Sequence, residues 1–244
     1  MNTKLMTILL LLFSLRVSCQ VLVIPPITTT ESGSTITPLA EYRMEGDATD
    51  ETGNYDGTLI NGLGFTSDYS PPVGTQSINQ NGSDRELRTP TMDVTQSGSW
   101  EAWVRPTGSG THVVVSNYQT GTGSGATMFL NMASNLVEFW SRSSSTNNSA
   151  TSTTGHLIAN DWNHVVCVWN AGTAAIYING VDRTSGDNTC RSDWTTNQVI
   201  DIGVWPDGSY DAYAQIAFAR IFDIDLTSIN AAYAYSHPGL PIPQ

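Results

Sequence analysis

Residues Asp161–Asp182, DWNHVVCVWNAGTAAIYINGVD, decide the fold of this chain. They contain two runs of strand-favouring residues, Trp162–Trp169 and Ala174–Ile178, which are rich in Val, Ile and aromatic side chains. Asn170–Thr173 joins the two runs as a turn of hairpin length, and Asn179-Gly180 ends the second run. Asn-Gly is a strong turn signal because both residues tolerate a positive φ angle. The segment therefore predicts the central hairpin of a β-sandwich.

Short strand patterns separated by turn residues make up the chain on either side of this hairpin. Leu39–Met44 alternates apolar and polar residues, which is typical of a half-buried strand. Ser99–Arg105 carries apolar residues on both sides, which indicates a strand inside a sheet. Thr227–Tyr235 has a helical pattern that Thr227 can cap. The whole pattern predicts an all-β fold, a two-sheet antiparallel β-sandwich or jelly roll, over residues 39–237.

The N-terminus has the pattern of a secretory signal peptide. Lys4 precedes the apolar run Leu5–Leu15, and small residues follow it up to Cys19. This pattern predicts a signal peptide over residues 1–19 and a secreted or cell-surface protein. An uncleaved membrane anchor and a lipoprotein anchored at Cys19 are the alternatives. Residues 20–38 are predicted to be a Thr/Pro-rich linker and residues 238–244 a Pro-rich tail.

Charge restricts the classes of partner. The formal net charge of the chain is −12, and loss of Lys4 and Arg16 with the signal peptide changes it to −14. Because contact with phosphates requires clustered cations, we expect no binding to nucleic acid or to anionic lipid. We also expect no membrane insertion once the signal peptide has been cleaved. The acidic balance is compatible with divalent cations and with neutral partners such as glycans.

Two cysteines remain after cleavage, Cys167 and Cys190. An even pair in an oxidising compartment predicts a disulfide between them. The alternative is a buried free thiol at Cys167, whose neighbours are both Val. Asn81 and Asn147 each begin an N-x-[ST] sequon and are candidate N-glycosylation sites.

A family pattern runs through four stretches in a fixed order: Tyr42–Leu59 (YRMEGDATDETGNYDGTL), Gly98–Pro106 (GSWEAWVRP), Asp161–Asp182 and Ile202–Leu226. In this order they resemble the laminin-G-like domain, a concanavalin A-like jelly roll of the lectin/glucanase superfamily. The resemblance implies a two-sheet sandwich that is commonly extracellular. Domains of this kind bind glycans or proteins, or serve as structural modules, and many hold one Ca²⁺.

Calcium binding is a further implication of the resemblance. Calcium takes six to eight oxygen ligands, several of them from carboxylates. In the family one ligand comes from the opening loop, where Asp50 matches, and another from the closing strand, where this sequence has Ala217. The candidate ligands share one loop and are Asp47, Asp50, Asn54 and Asp56, with Glu51 beside them. The alternative is a solvated turn that these residues shape.

Glycan binding requires flat aromatic rings with polar groups beside them. One loop provides this combination, and its candidate residues are Trp205, Asp207, Tyr210, Asp211 and Tyr213. The alternative is that Trp205 folds back onto the body of the domain. Trp103 and Trp140 are interpreted as core or sheet-face residues.

Enzyme chemistry has little support in the sequence. Related sandwiches that hydrolyse β-glucans use paired Glu residues around an Asp, and no E-x-D-x-E pattern occurs here. His164, among Val and Trp residues, is interpreted as buried and hydrogen-bonded. We therefore expect a secreted, non-catalytic recognition module, lectin-like or adhesive, that binds glycans or extracellular proteins. One alternative is a self-associating assembly subunit, joined through the linker or an exposed edge strand. A glycoside hydrolase is the other.

Overall fold

A computed structural model describes residues 34–81, 85–94, 96–143, 146–194, 197–206, 210 and 213–244, without the side chain of Asn81. The described residues belong to one compact unit, Gly33–Gln244. The predicted signal peptide and the linker up to residue 33 lie outside these ranges.

The described residues form 17 strands and one helix. The strands are, in chain order, Thr35–Ile36 (β1), Ala40–Tyr42 (β2), Thr58–Ile60 (β3), Phe65–Thr66 (β4), Ser77–Asn81 (β5), Glu86–Arg88 (β6), Ser97–Pro106 (β7), Thr111–Ser116 (β8), Gly125–Asn131 (β9), Leu136–Ser143 (β10), Thr146–Thr151 (β11), Asn163–Asn170 (β12), Thr173–Ile178 (β13), Val181–Asp182 (β14), Asp201–Ile202 (β15), Tyr213–Phe222 (β16) and Ile242–Pro243 (β17). The helix is Ser228–Ser236 (α1).

Two antiparallel sheets form the sandwich. One has the strand order β11-β10-β9-β8-β15-β6-β3, and we call it the seven-stranded sheet. The other, the eight-stranded sheet, has the order β14-β13-β12-β7-β16-β5-β4, with β2 also pairing with β16. Both sheets contribute side chains to one buried apolar core. The predicted all-β, two-sheet fold is confirmed.

The predicted central hairpin is β12–β13. Asn170 pairs with Thr173, and the two turn residues between them, Ala171 and Gly172, have φ angles of 45° and 96°. Two positive φ angles are typical of the two-residue turn whose twist matches that of the flanking strands. Asn179-Gly180 makes an equivalent turn into β14, with φ angles of 51° and 74°. On its other side β12 pairs with β7, which lies inside the sheet as predicted.

Aromatic packing joins the two sheets. Trp169 of β12 stacks on Phe139 of β10, with ring centroids 5.5 Å apart and planes 9° apart. Trp100 of β7 meets the edge of Trp169 at 5.2 Å. Gly98 leaves room for this packing, because a Cβ atom there would lie 2.6 Å from the Trp169 ring. Such contacts stabilise a core by about 0.5–1.5 kcal/mol each beyond the burial of apolar area.

α1 covers part of the outer face of the eight-stranded sheet. Thr227 caps the helix as predicted, with its hydroxyl accepting a hydrogen bond from the N–H of Asn230. Tyr235 stacks on Trp103 of β7 at 5.8 Å.

A buried charged network lies on the same outer face. The Glu101 carboxylate accepts a hydrogen bond from His164 Nε2 at 3.0 Å and lies 3.5 Å from Arg220 Nη1, which confirms the buried, hydrogen-bonded role predicted for His164. Arg220 Nε also donates to Glu41 at 2.8 Å. Burial acts to raise the pKa of Glu101, but His164 and Arg220 together hold it below its ordinary value.

The two ends of the described chain pair with each other. Thr35 pairs with Pro243 and Ile36 with Ile242, and both Ile side chains are buried in a cluster with residues of α1. The last residues of the predicted linker and the predicted Pro-rich tail are therefore part of the folded domain. The sequence boundaries missed this because the pairing joins segments about 200 residues apart and each strand is only two residues long.

The predicted disulfide is wrong for this structure, in which both cysteines are free, buried thiols. Cys167 lies opposite Ile176, whereas the N–H of Cys190 donates to the carbonyl of Gly172 in the hairpin turn. That turn begins after Asn170, three residues or about 10 Å along β12 from Cys167. A disulfide requires Cα atoms within about 7 Å. Burial raises the pKa of both thiols, that of Cys190 to about 12.

Replacing Ile242 by Ala tests the closure of the domain by its C-terminal strand. Ile242 is 1% exposed, so we expect the free energy of unfolding in urea to fall by about 2–4 kcal/mol. Leu240→Ala is the matched control, because Leu240 is 50% exposed and its loss is expected to change stability by less than about 0.5 kcal/mol. Equal effects of the two substitutions would contradict the packing of β17.

Candidate functional site

An aromatic pocket opens on the outer face of the seven-stranded sheet. Its volume is about 320 Å³. It is lined by residues from β8, β9 and β10 and from the loop after β15, namely Thr111, Phe129, Glu138, Trp140, Trp205 and Tyr210. We call this set the aromatic pocket.

Strand alternation places the floor of the pocket. Along β10, buried and half-buried residues alternate, so that Val137 and Phe139 point into the core while Glu138 and Trp140 point outward. Phe129 of β9 is the direct cross-strand partner of Glu138 and also lines the pocket. The same pairing that builds the core therefore sets a carboxylate beside aromatic rings on the open face.

Trp205 is the support of the pocket rather than an exposed platform. Its ring lies between Tyr118, stacked at 4.6 Å, and Phe129, stacked at 5.4 Å, and it is only 8% exposed. Of the two positions considered for Trp205, the structure has the second: the ring folds back onto the body of the domain. Trp140 meets the edge of Trp205 at 5.2 Å with an angle of 62° between the ring planes.

Tyr210 is the exposed wall. It is 48% exposed and stands at 74° to Trp205, with ring centroids 5.9 Å apart. A half-exposed ring at this angle leaves a flat apolar surface free beside the pocket, which suits contact with the apolar face of a sugar.

The aromatic pocket has few polar groups, and each has a defined position in the lining. Glu138 accepts a hydrogen bond from the hydroxyl of Ser149 on β11. Among the described residues, no basic side chain forms an ion pair with Glu138. Thr111 of β8, two strands away from β10, adds a hydroxyl to the lining. A single carboxylate and a few hydroxyl groups surrounded by aromatic rings are typical of a site that orients a small polar ligand.

A second cavity, of about 260 Å³, is lined in part by Tyr118, whose ring stacks on Trp205 of the aromatic pocket. Its charged residues are Arg88 and Asp201, joined by a hydrogen bond of 2.8 Å. Burial raises the pKa of Asp201 even though Arg88 acts to lower it. β10 and β15 are three strand spacings apart, about 14 Å, so the two cavities lie at different positions across the seven-stranded sheet.

The structure brings together part of the predicted glycan site. Trp205 and Tyr210 line the aromatic pocket, whereas Tyr213 begins β16 and lies against His112, 6.1 Å away. Asp207 and Asp211 lie outside the described residues. The sequence reading missed Glu138, Phe129 and Trp140 as site residues. The alternation of Leu136–Ser143, LVEFWSRS, is the signal that indicated their outward direction.

The loop predicted to bind calcium is organised by one carboxylate. Asp50 is 1% exposed, and both of its oxygens are occupied by protein donors. Oδ1 accepts from the N–H groups of Glu41 and Thr52 at 2.8 and 3.0 Å. Oδ2 accepts from the Thr52 hydroxyl and from the N–H groups of Asn54 and Tyr55. Burial acts to raise the pKa of Asp50, but these hydrogen bonds hold it below its ordinary value.

The residues of this loop do not fit a calcium ion. Asp56 accepts from the N–H of Asp50, Asp47 accepts from the N–H of Thr49, and Asn54 is an exposed turn residue. In the described part of the chain, no group of three or more acidic, His or Cys side chains is arranged to hold a metal. Ala217 is fully buried at a bulge in β16, where the family has an acid. Calcium binding stays a prediction without a ligand cluster to support it.

The two sequons lie on strands. Asn147 is exposed on β11, at an edge of the seven-stranded sheet, and Asn81 ends β5, with its side chain outside the description. Glycosylation of either site stays a prediction.

Replacing Asp50 by Ala tests whether hydrogen bonds, rather than a metal, hold this loop. We expect a loss of about 2–4 kcal/mol in the free energy of unfolding, because five donors lose one charged acceptor. Asp47→Ala, which removes an exposed acid with one backbone contact, serves as the control, with a loss below about 1 kcal/mol. A wild-type melting temperature that drops several degrees in EDTA would contradict this account.

No helix in the described ranges has the length and apolar character that crossing a membrane requires. A search among curated protein sequences found no match. Among solved structures, domain 4 of AbnA, a GH43 extracellular arabinanase from Geobacillus stearothermophilus in complex with arabinotriose, is 20% identical. That match covers 82% of this chain and 98% of the domain, with a TM-score of 0.64.

Two further solved structures share the fold. The botulinum neurotoxin serotype G binding domain is 17% identical, with 82% of this chain and 51% of that chain covered and a TM-score of 0.62. The native heptameric SAP-like pentraxin from Limulus polyphemus is 16% identical, with 67% and 83% covered and a TM-score of 0.56. At these identities the likeness concerns the fold alone.

The family follows from the sequence. A laminin-G family model, described as the concanavalin A-like lectin/glucanases superfamily, matches residues 79–230. This range is more than half of the chain and contains β6 to β16, including every residue that lines the aromatic pocket. The protein belongs to the concanavalin A-like lectin/glucanases superfamily.

Proposed function

We propose that this protein is a secreted, non-catalytic recognition module that binds glycans through the aromatic pocket. The observation that carries the proposal is the placement of a half-exposed tyrosine ring, Tyr210, and a half-buried tryptophan, Trp140, around the outward carboxylate of Glu138. Rings contact the apolar face of a sugar, and a carboxylate accepts hydrogen bonds from its hydroxyls.

The position of the pocket supports the proposal. The outer face of the eight-stranded sheet is occupied by α1 and by the C-terminal strand, whereas the aromatic pocket lies on the opposite outer face of the sandwich. The solved arabinanase domain with a similar fold is described in complex with arabinotriose, which shows that a sandwich of this shape can hold an oligosaccharide.

A binding role is favoured over hydrolysis by the count of acids in the pocket. Glycosidases of the usual kind need two carboxyl groups that flank the scissile bond. Among the described residues that line the aromatic pocket, Glu138 is the single acid. The assembly alternative has less support, because the described end of the linker pairs with β17 of its own chain.

Replacing Tyr210 by Ala tests the proposed site on a glycan array. We expect affinity for the bound glycans to fall about tenfold, since loss of a stacking ring removes roughly 1–2 kcal/mol. Tyr69→Ala is the matched control, because Tyr69 is also an exposed tyrosine, 62% against 48% for Tyr210, and lies on the other side of the sandwich, against Arg105 of β7. The glycan should be recovered uncut after incubation.

Three results would overturn the proposal. If the protein bound no glycan on the array, the proposed function would be wrong. Binding that survives Tyr210→Ala but is lost in Tyr69→Ala would move the site to the other face. Cleavage of a bound glycan would replace the recognition module by an enzyme.

A further inference from the structure

Four aromatic rings and one carboxylate meet in the aromatic pocket, and this combination has a consequence for the charge of the ligand. Trp140 and Tyr210 stand at 62° and 74° to Trp205, and Phe129 lies nearly parallel to Trp205, at 19°. Trp140 and Tyr210 therefore stand at steep angles around the supporting ring of Trp205 rather than forming one flat shelf.

Rings in this arrangement attract cations. The face of an aromatic ring carries negative potential, so that a cationic group near Trp or Tyr gains about 0.5–2 kcal/mol, more as it is desolvated. Recognition of ammonium groups by cages of aromatic side chains is a common use of this interaction.

Glu138 gives the cage a formal negative charge. In the described part of the chain no cation pairs with it, and its one recorded partner is the hydroxyl of Ser149. Two basic side chains of the same sheet face are already held elsewhere, since Arg88 binds Asp201 and Arg142 donates to the hydroxyl of Tyr118. A carboxylate that lies beside aromatic rings and forms no ion pair is complementary to a positively charged ligand.

The charge of the whole chain acts in the same direction. A net charge of −12 repels anionic ligands and raises the local concentration of cationic ones. The hydroxyl of Thr111 in the pocket lining suits the hydroxyl groups of a sugar, which a bare alkylammonium ion lacks.

We propose that the aromatic pocket selects glycans that carry a protonated amine, such as glucosamine units, over their neutral N-acetylated counterparts. The inference rests on the proposed function and names the ligand class of the same site. The ammonium group of the sugar lies against Glu138 and the ring faces, and the rest of the sugar contacts Tyr210.

The experiment compares two oligosaccharides that differ in the acetylation, and therefore in the charge, of the sugar nitrogen. A β-1,4-linked glucosamine tetramer and an N-acetylglucosamine tetramer are titrated into the protein by calorimetry at pH 6. We expect the glucosamine tetramer to bind about tenfold more tightly, and the preference to shrink with added salt.

Glu138→Gln provides the decisive variant, because the amide keeps the size of the side chain and an oxygen that can accept from Ser149. We expect the affinity for the glucosamine tetramer to fall about tenfold and the affinity for the N-acetylated tetramer to change less than about twofold. Glu51→Gln is the matched control, since it removes the same charge from an exposed position in the Asp47–Asp56 loop and should leave both affinities unchanged.

The outcomes separate the two proposals. Equal or stronger binding of the N-acetylated tetramer would overturn the charge selection and leave glycan recognition intact. A preference for glucosamine that persists in Glu138→Gln would overturn the role of this carboxylate. If neither tetramer binds and the glycan array is also empty, the proposed function fails together with the inference.

Discussion

The stacking of Phe139 on Trp169 across the interior is the interaction on which the site depends. It fixes which residues of β10 point inward, because neighbouring residues of a strand face opposite sides of its sheet. Glu138 and Trp140, the two neighbours of Phe139, must then lie on the outer surface. A slip of one residue would bury the carboxylate and expose the phenylalanine, so the core holds the site in register.

The two outer faces of the sandwich have different roles. On the eight-stranded sheet, charged residues are buried in a closed network under the C-terminal segment, with Arg220 donating to the carbonyl of Leu240 at 3.0 Å. Removing one member of such a network would leave a buried charge without its partner, which is strongly destabilising. The outer face of the eight-stranded sheet therefore serves to stabilise the fold. The seven-stranded sheet presents its aromatic and acidic residues in open cavities, where a ligand can reach them.

Local patterns predicted much of the fold and less of the site. The hairpin and the helix cap are encoded by residues near one another, so turn and capping chemistry revealed them. The pairing of β1 with β17 joins distant segments and left no local signal. Tyr210 stood out as an aromatic residue in a loop, but Glu138 and Trp140 belong to an ordinary alternating strand. Their meeting with Trp205 depends on the packing of a loop onto a sheet, which periodicity does not encode.

The loop predicted to bind calcium and the two cysteines show how similar residues take different roles. An acidic loop can bind a metal or satisfy its own backbone, and the hydrogen bonds to Asp50 assign its oxygens to the second role. Two cysteines can form a bridge only when the register brings them together, and the turn at Gly172 keeps them apart.

The central claim is that glycans bind at the aromatic pocket, and the indole N–H resonances of the seven tryptophans test it most directly. During titration with a glycan that binds, the resonances of Trp140 and Trp205 should shift in a saturable way. That of Trp162, whose indole N–H donates to the carbonyl of Tyr69 at the other sheet, should stay in place. A saturable shift of Trp162 with Trp140 and Trp205 unchanged would contradict the account.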